Sequence, residues 1–247
     1  MNDAMWAGTV TITGHGDAEL EAYLARPLSD APRGGVVLIH HLPGYDAGTR
    51  EFARTFAAHG YAAIVPNLYS REGADVSLDD QAAAVRAKGG IPDEQLVGDV
   101  AGAAAHLNAL EHANGKIGVI GHCSGGRHAF LAACELDLDA AVDCYGAFVV
   151  NDPPADSPLN ARPLLSKAPD LSCPLLGLFG EDDRFPAPDE VAALDAELTK
   201  LGKQHEFHSY PGAGHAFFAV ERPAFRPDAA KDGWAKIFAF YGRHLSA

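Results

Sequence analysis

The chain has 247 residues, 47% hydrophobic and 21% charged, which is the profile of an ordinary globular protein able to bury a substantial core. Thirty-three acidic residues against 19 basic ones give a formal charge of −14, a field that repels phosphate backbones and argues against a nucleic-acid partner. No apolar run approaches a membrane span and no signal-peptide pattern is evident near the N-terminus. The four cysteines, at 123, 134, 144 and 173, lack metal-ligand spacing. The expectation is a cytoplasmic protein with free thiols and no membrane partner.

In chain order, Thr9–Thr13 is β-branched and alternating, and Leu20–Ala25 reads as a second strand. The two predict an antiparallel hairpin at one sheet edge. Gly35–His40 is a continuous apolar run ending in a histidine, as expected of a strand covered on both faces. A helix follows from about Thr49 to His59 with Gly60 as its stop, then a buried strand at Tyr61–Pro66. Residues 67–90 read as a surface excursion beside a site, a possible lid, around a weakly helical patch at Leu78–Lys88.

The spacing predicts a helix from Pro92 to about Ala113, a strand from Lys116, and a helix to about Glu135. Leu138–Tyr145 reads as a strand, 146–169 as a long proline-rich loop, and Pro174–Gly180 as the next strand. A helix from about Asp189 to Leu201, a strand at Gln204–Tyr210 and a closing helix from about Asp228 to His244 complete the pattern. Strands alternating with helices predict a mainly parallel sheet with helices on both faces, and no linker or repeat divides residues 1–247 into more than one domain.

The chemistry centres on Gly121-His122-Cys123-Ser124-Gly125-Gly126, between an apolar run and an alanine-rich helical stretch. This is the form of a nucleophile elbow with cysteine at its tip. Such a turn exposes the Cys123 side chain and aims the Ser124 amide where an oxyanion would form. Two further groups follow strand ends: Asp183 in Gly180-Glu181-Asp182-Asp183, and His215 in Gly212-Ala213-Gly214-His215. The order nucleophile, acid, histidine is that of an α/β-hydrolase triad.

With these residues in place, the chain resembles the dienelactone hydrolase family of α/β-hydrolases. The likeness runs from the edge strands through Tyr145-Gly146 to Gly214-His215-Ala216-Phe217-Phe218, and the cysteine elbow with its second glycine at 126 is the most specific match. The resemblance implies an α/β-hydrolase fold and hydrolysis of a small-molecule ester, lactone or thioester without a cofactor. It places the triad on Cys123, Asp183 and His215 and the oxyanion donors on the amides of Leu42 and Ser124. The family's Gly-x-x-Asp spacing from Gly180 selects Asp183 over Asp182.

His41 departs from the pattern, because dienelactone hydrolases proper carry a glutamate there. Arg71, Arg86 and Arg222 do not fall clearly on the family's carboxylate-binding positions. His41, Tyr145, Phe217 and Phe218 are candidate substrate contacts, the three aromatics fitting the core at least as well, while His128 and Cys134 read as packing or surface residues. A metal cluster of His40, His41, His122, Cys123 and His215 is disfavoured, since neighbouring strand residues point to opposite faces. Two other readings stay open: a family member that binds a carboxylated ligand without turnover, and a redox sensor in which another cysteine resolves oxidised Cys123.

Overall fold

The computed structural model of the chain describes residues 4–73 and 75–246. Eight strands form one sheet: β1 (Met5–Thr13), β2 (Glu19–Pro27), β3 (Arg33–Ile39), β4 (Ala62–Pro66), β5 (Ala113–His122), β6 (Ala140–Cys144), β7 (Leu175–Gly180) and β8 (His205–Tyr210). Their order across the sheet is β1-β2-β4-β3-β5-β6-β7-β8, with β1 and β2 antiparallel and β3 through β8 parallel. This is the α/β-hydrolase fold. The six helices among the described residues are α1 (Ala47–Ala58), α2 (Leu78–Ala87), α3 (Asp93–Asn108), α4 (Ser124–Glu135), α5 (Pro188–Lys200) and α6 (Pro227–His244).

β3, β4, β6 and β7 are buried along their whole length, which explains their mainly apolar sequences, with Arg33 in β3 and Asp143 in β6 as buried charged exceptions. The period-two pleat divides each strand between two cores. Val36 and Leu38 pack with Phe56 of α1 and with Ile237, Phe240 and Tyr241 of α6. Val37 and Ile39 pack with Val100 of α3, Phe130 of α4 and Leu194 of α5 on the other face. Each such side chain contributes about 1.5–3 kcal/mol of burial, so the sheet is a stiff platform for whatever its ends carry. Tyr241 satisfies its buried hydroxyl by donating to the Val119 carbonyl at 2.8 Å.

Several predicted boundaries shift, with β1 beginning at Met5 and β5 at Ala113, both earlier than expected. α3 stops at Asn108 because the chain must turn to enter β5 at Ala113, where the His112 carbonyl accepts the Arg33 amide at 3.0 Å. Helix propensity at Ala109 yields there to sheet pairing. Residues 67–90 are also more integrated than a surface excursion. Ser77 caps α2 by accepting the Asp80 amide, and Gln81, Ala82 and Val85 are buried.

The parallel register brings four loops to one edge of the sheet. β3 ends at Ile39 opposite Gly121, β5 ends at His122 opposite Cys144, and Gly180 at the end of β7 lies opposite Tyr210 at the end of β8. Leu42, Cys123, Asp183 and His215 follow those ends, beyond the carboxyl termini where open α/β sheets hold their ligands.

Candidate active site

The turn at Cys123 is as tight as its glycines require. A Cβ on Gly121 would lie 1.8 Å from the Gly125 carbonyl oxygen, and one on Gly125 would lie 2.3 Å from the Ile39 carbonyl oxygen. Cys123 itself has φ 59° and ψ −125°, a conformation that costs a residue with a side chain on the order of 1–3 kcal/mol. Its amide donates to the Cys144 carbonyl at 3.0 Å, which ties the strained residue to the neighbouring strand. The other three cysteines are buried, with burial pushing Cys134 and Cys173 up to about 12 and Cys144 well above the ordinary thiol value.

His215 donates through Nδ1 to Oδ2 of buried Asp183 at 2.9 Å, and Oδ1 of that carboxylate accepts the Phe185 amide at 3.0 Å. Asp182 is exposed, and its amide donates to the Ala213 carbonyl. Burial alone would lower the His215 pKa, but Asp183 and the Cys123 sulfur raise it to about 10. For Cys123 burial works against the thiolate. His215 and the amides of Ser124 and Leu42 outweigh it, and the thiol falls below its ordinary value. Each partner thus favours the charged form of the other.

The Leu42 amide is held from both sides. His40, neutral because burial pulls it down to about 4, donates through Nδ1 to the His41 carbonyl at 2.9 Å and accepts the Leu68 amide at Nε2, 3.2 Å away. The Tyr69 hydroxyl donates to the Leu42 carbonyl at 2.9 Å. His41 turns elsewhere, donating through Nε2 to Oδ2 of Asp46 at 2.6 Å. Oδ1 of Asp46 accepts the Thr49 amide and hydroxyl at 2.8 and 2.9 Å, so one carboxylate both caps α1 and holds His41.

A chamber of about 1000 Å³ opens over Cys123, Ser124, Leu42 and His215. Its walls include Tyr69, Gly89 and Gly90, residues of the helix-bearing segment 67–90, together with Phe148 and Phe185 from loops after β6 and β7. Phe217 and Phe218, candidate substrate contacts by sequence, are instead buried in the α6-side core and line neither this chamber nor the smaller cavity described below. Phe218 fills the space left by Gly233, where a Cβ would lie 2.4 Å from its ring. Tyr145 is also buried and stacks edge-on to His215 with centroids 5.1 Å apart.

Arg127 and His128 lie on the chamber wall and were not expected there from the sequence. Arg127 is buried, donating to Asp93 at 3.1 Å and to the Arg162 carbonyl at 2.8 Å, while buried Nδ1 of His128 has no partner among the described residues. Their spacing, four and five residues beyond Cys123 on the elbow helix, is the available signal, because the N-terminal end of that helix borders the site. Arg71, by contrast, is consumed by a pair with Asp99 at 2.7 and 2.8 Å. Among the described residues, no group of three or more His, Cys, Asp or Glu is placed to hold a metal ion, and no helix is long and apolar enough to cross a membrane.

The sheet order, with a cysteine elbow and a His–Asp pair at its carboxyl edge, is that of the α/β-hydrolase class. Comparison with known proteins narrows this further. The model of the dienelactone hydrolase family matches residues 20–245, and the chain belongs to that family. It is 33% identical to a candidate carboxymethylenebutenolidase of Escherichia coli strain K12, over 98% of this chain and 89% of the relative. It is 30% identical to the carboxymethylenebutenolidase of Pseudomonas putida over 81% of both. Among solved structures, a candidate dienelactone hydrolase from Klebsiella pneumoniae superposes with a TM-score of 0.83 at 31% identity, covering 98% of this chain and 100% of that one.

Proposed function

We propose that this hydrolase cleaves a carboxylic ester, lactone or thioester through a covalent acyl-cysteine, with Cys123 as nucleophile, His215 as acid and base, and Asp183 holding the histidine. The observation that carries the reading is the setting of the Cys123 sulfur, placed by a strained elbow between the Asp183-bound His215 and the amides of Leu42 and Ser124. The thiolate attacks the acyl carbon and forms the S–C bond. The oxyanion is stabilised by the two amides, and the leaving group takes the proton from His215 as its bond breaks. Water then adds to the thioester carbon and the C–S bond breaks, releasing the acid and restoring the thiolate.

The relatives' name points to a small carboxylated lactone as one substrate type. The chamber of about 1000 Å³ also has room for larger acyl groups, so esters and lactones of several sizes belong in the test. Redox sensing is less well supported, because Cys134, Cys144 and Cys173 are buried with raised pKa values and are poor resolving thiols. Wild type and Cys123→Ala should be assayed against a panel of chromogenic esters and lactones, with the intact protein weighed during turnover. A transient acyl adduct on Cys123 and loss of turnover in the variant are expected. Turnover that survives Cys123→Ala would end the proposal.

A further inference from the structure

Two histidine–carboxylate pairs border cavities that Cys123 also lines, and only the pair of His215 and Asp183 has a role in the reaction above. A second cavity of about 80 Å³ lies beside the chamber, and among the described residues the two share only Cys123 and His215 in their linings. His41, Asp46 and Thr49 line this smaller cavity, with Glu221 and Arg222 at its outer wall. It has room for water and is too small for an acyl chain of any length.

In the neutral His41 ring, the Nε2–H donated to Oδ2 of Asp46 at 2.6 Å leaves the lone pair on Nδ1, which makes no hydrogen bond among the described residues. Asp46 is fixed in turn by the Thr49 amide and hydroxyl, and these donors with His41 hold its carboxyl well below the usual carboxylate range despite burial. An imidazole oriented by a carboxylate, with its other nitrogen free to accept, is the arrangement a general base requires.

We propose that His41 is a second catalytic base, positioned by Asp46, that activates the water releasing the acyl group from Cys123; the proposal rests on the acyl-cysteine reading above. Once the leaving group has taken its proton, His215 is neutral and the sulfur is a thioester. Water in the small cavity adds to the thioester carbon and gives one proton to Nδ1 of His41. Collapse breaks the C–S bond and returns the electron pair to sulfur. The proton then passes from His41 to His215 across the cavity both line, which restores the thiolate–imidazolium pair. The product acid loses its remaining proton to solvent. The division has a physical advantage, because water held there does not compete with the leaving group for the chamber.

The test uses p-nitrophenyl acetate with wild type, His41→Asn and Asp46→Asn, the last chosen because asparagine keeps the helix cap. Rapid mixing reads acylation as p-nitrophenol release, intact-protein mass reads acyl-Cys123, and thermal melting with stoichiometric iodoacetamide labelling checks that the site is intact. In His41→Asn, acylation should stay within about threefold while steady turnover falls about a hundredfold, toward the lower end of what a general base supplies. Acyl-enzyme should then accumulate, and Asp46→Asn should show a smaller loss in the same step. Hydroxylamine, which attacks a thioester without a base, should restore release in the His41 variant far more than in wild type.

Parallel losses of acylation and turnover without an adduct would overturn the proposal and leave His41 as a prop for the Leu42 amide. Unchanged turnover in His41→Asn would overturn it as well. If no variant carries an acyl group and Cys123→Ala still turns over, the acyl-cysteine reading itself has failed, which is a different result from either.

Discussion

The ring of His40 grips the carbonyl of His41, with Nδ1 donating at 2.9 Å, and the same peptide unit carries the Leu42 amide. A trans peptide is planar, so fixing its oxygen on one side aims its N–H to the other, here toward the Cys123 sulfur. The Leu68 amide, donating to His40 Nε2 at 3.2 Å, keeps the ring in the tautomer this needs. The His40 ring thereby sets the direction of the Leu42 amide, the proposed oxyanion donor.

His40→Leu keeps the bulk and removes the donor. It should cut kcat by about a hundredfold, the order seen when one oxyanion donor is lost, with little change in KM. His40→Gln, which can donate and accept, should recover much of the loss. Steady-state kinetics beside thermal melts would check this, and equal, small losses in both variants would show that the Leu42 amide holds its direction without the ring.

The Cys123–His215 pair predicts selective chemistry. One equivalent of iodoacetamide should label Cys123 first, because the other three thiols are buried with raised pKa values. The alkylation rate should hold up well below the ordinary thiol value of about 8.5. His215→Gln should move its midpoint upward by removing the cation, read also by thiolate absorbance near 240 nm. A wild-type profile that titrates only near the ordinary value would show a neutral resting thiol.

The neighbouring carboxylates should separate cleanly. Asp183 is buried and bonded to His215, whereas Asp182 is exposed. Asp183→Asn should lower kcat by roughly 10³–10⁴-fold through loss of tautomer control, and Asp182→Asn should stay within a few-fold of wild type. The opposite ranking in kcat would mean that the acid is misassigned.

Asp143 makes a prediction about stability. It is fully buried beneath the elbow helix, accepts the Gly146 amide at 2.7 Å through Oδ1, and leaves Oδ2 without a partner among the described residues. Burial raises its pKa from 3.8 to about 7, only partly offset by the Gly146 amide. Between those values the native state holds a proton that the unfolded state has released, so this group's contribution to stability falls as pH rises through the window, by about 1.4 kcal/mol per unit. Asp143→Asn should remove that slope and raise the denaturation midpoint at pH 7 and above. Urea melts from pH 4 to pH 8 would read it, and an unchanged slope in the variant would refute the assignment.

The sequence by itself determined the succession of elements: apolar runs too long to face water on either side, a glycine-cysteine turn of strand-to-helix form, and an acid and a histidine placed just after later strands. These are local properties, fixed by steric limits at Gly121 and Gly125 and by the period of burial, and they carry the fold class and the neighbourhood of Cys123. Local pattern does not say what lies across a loop. Phe217 and Phe218 looked equally fit for pocket and core, and only the packing of α6 against their rings put them inside. His128 reads as a packing or surface residue in sequence, and only the loops after α2 and β6 close a chamber over it and its neighbour Arg127. His41 parts from the identical residue beside it because both follow the end of β3 at Ile39, where the chain turns and brings Asp46 within reach of the His41 ring and Leu68 within reach of the His40 ring. Partners five and 28 residues away give two adjacent histidines opposite surroundings, and a one-dimensional pattern has no means of recording that.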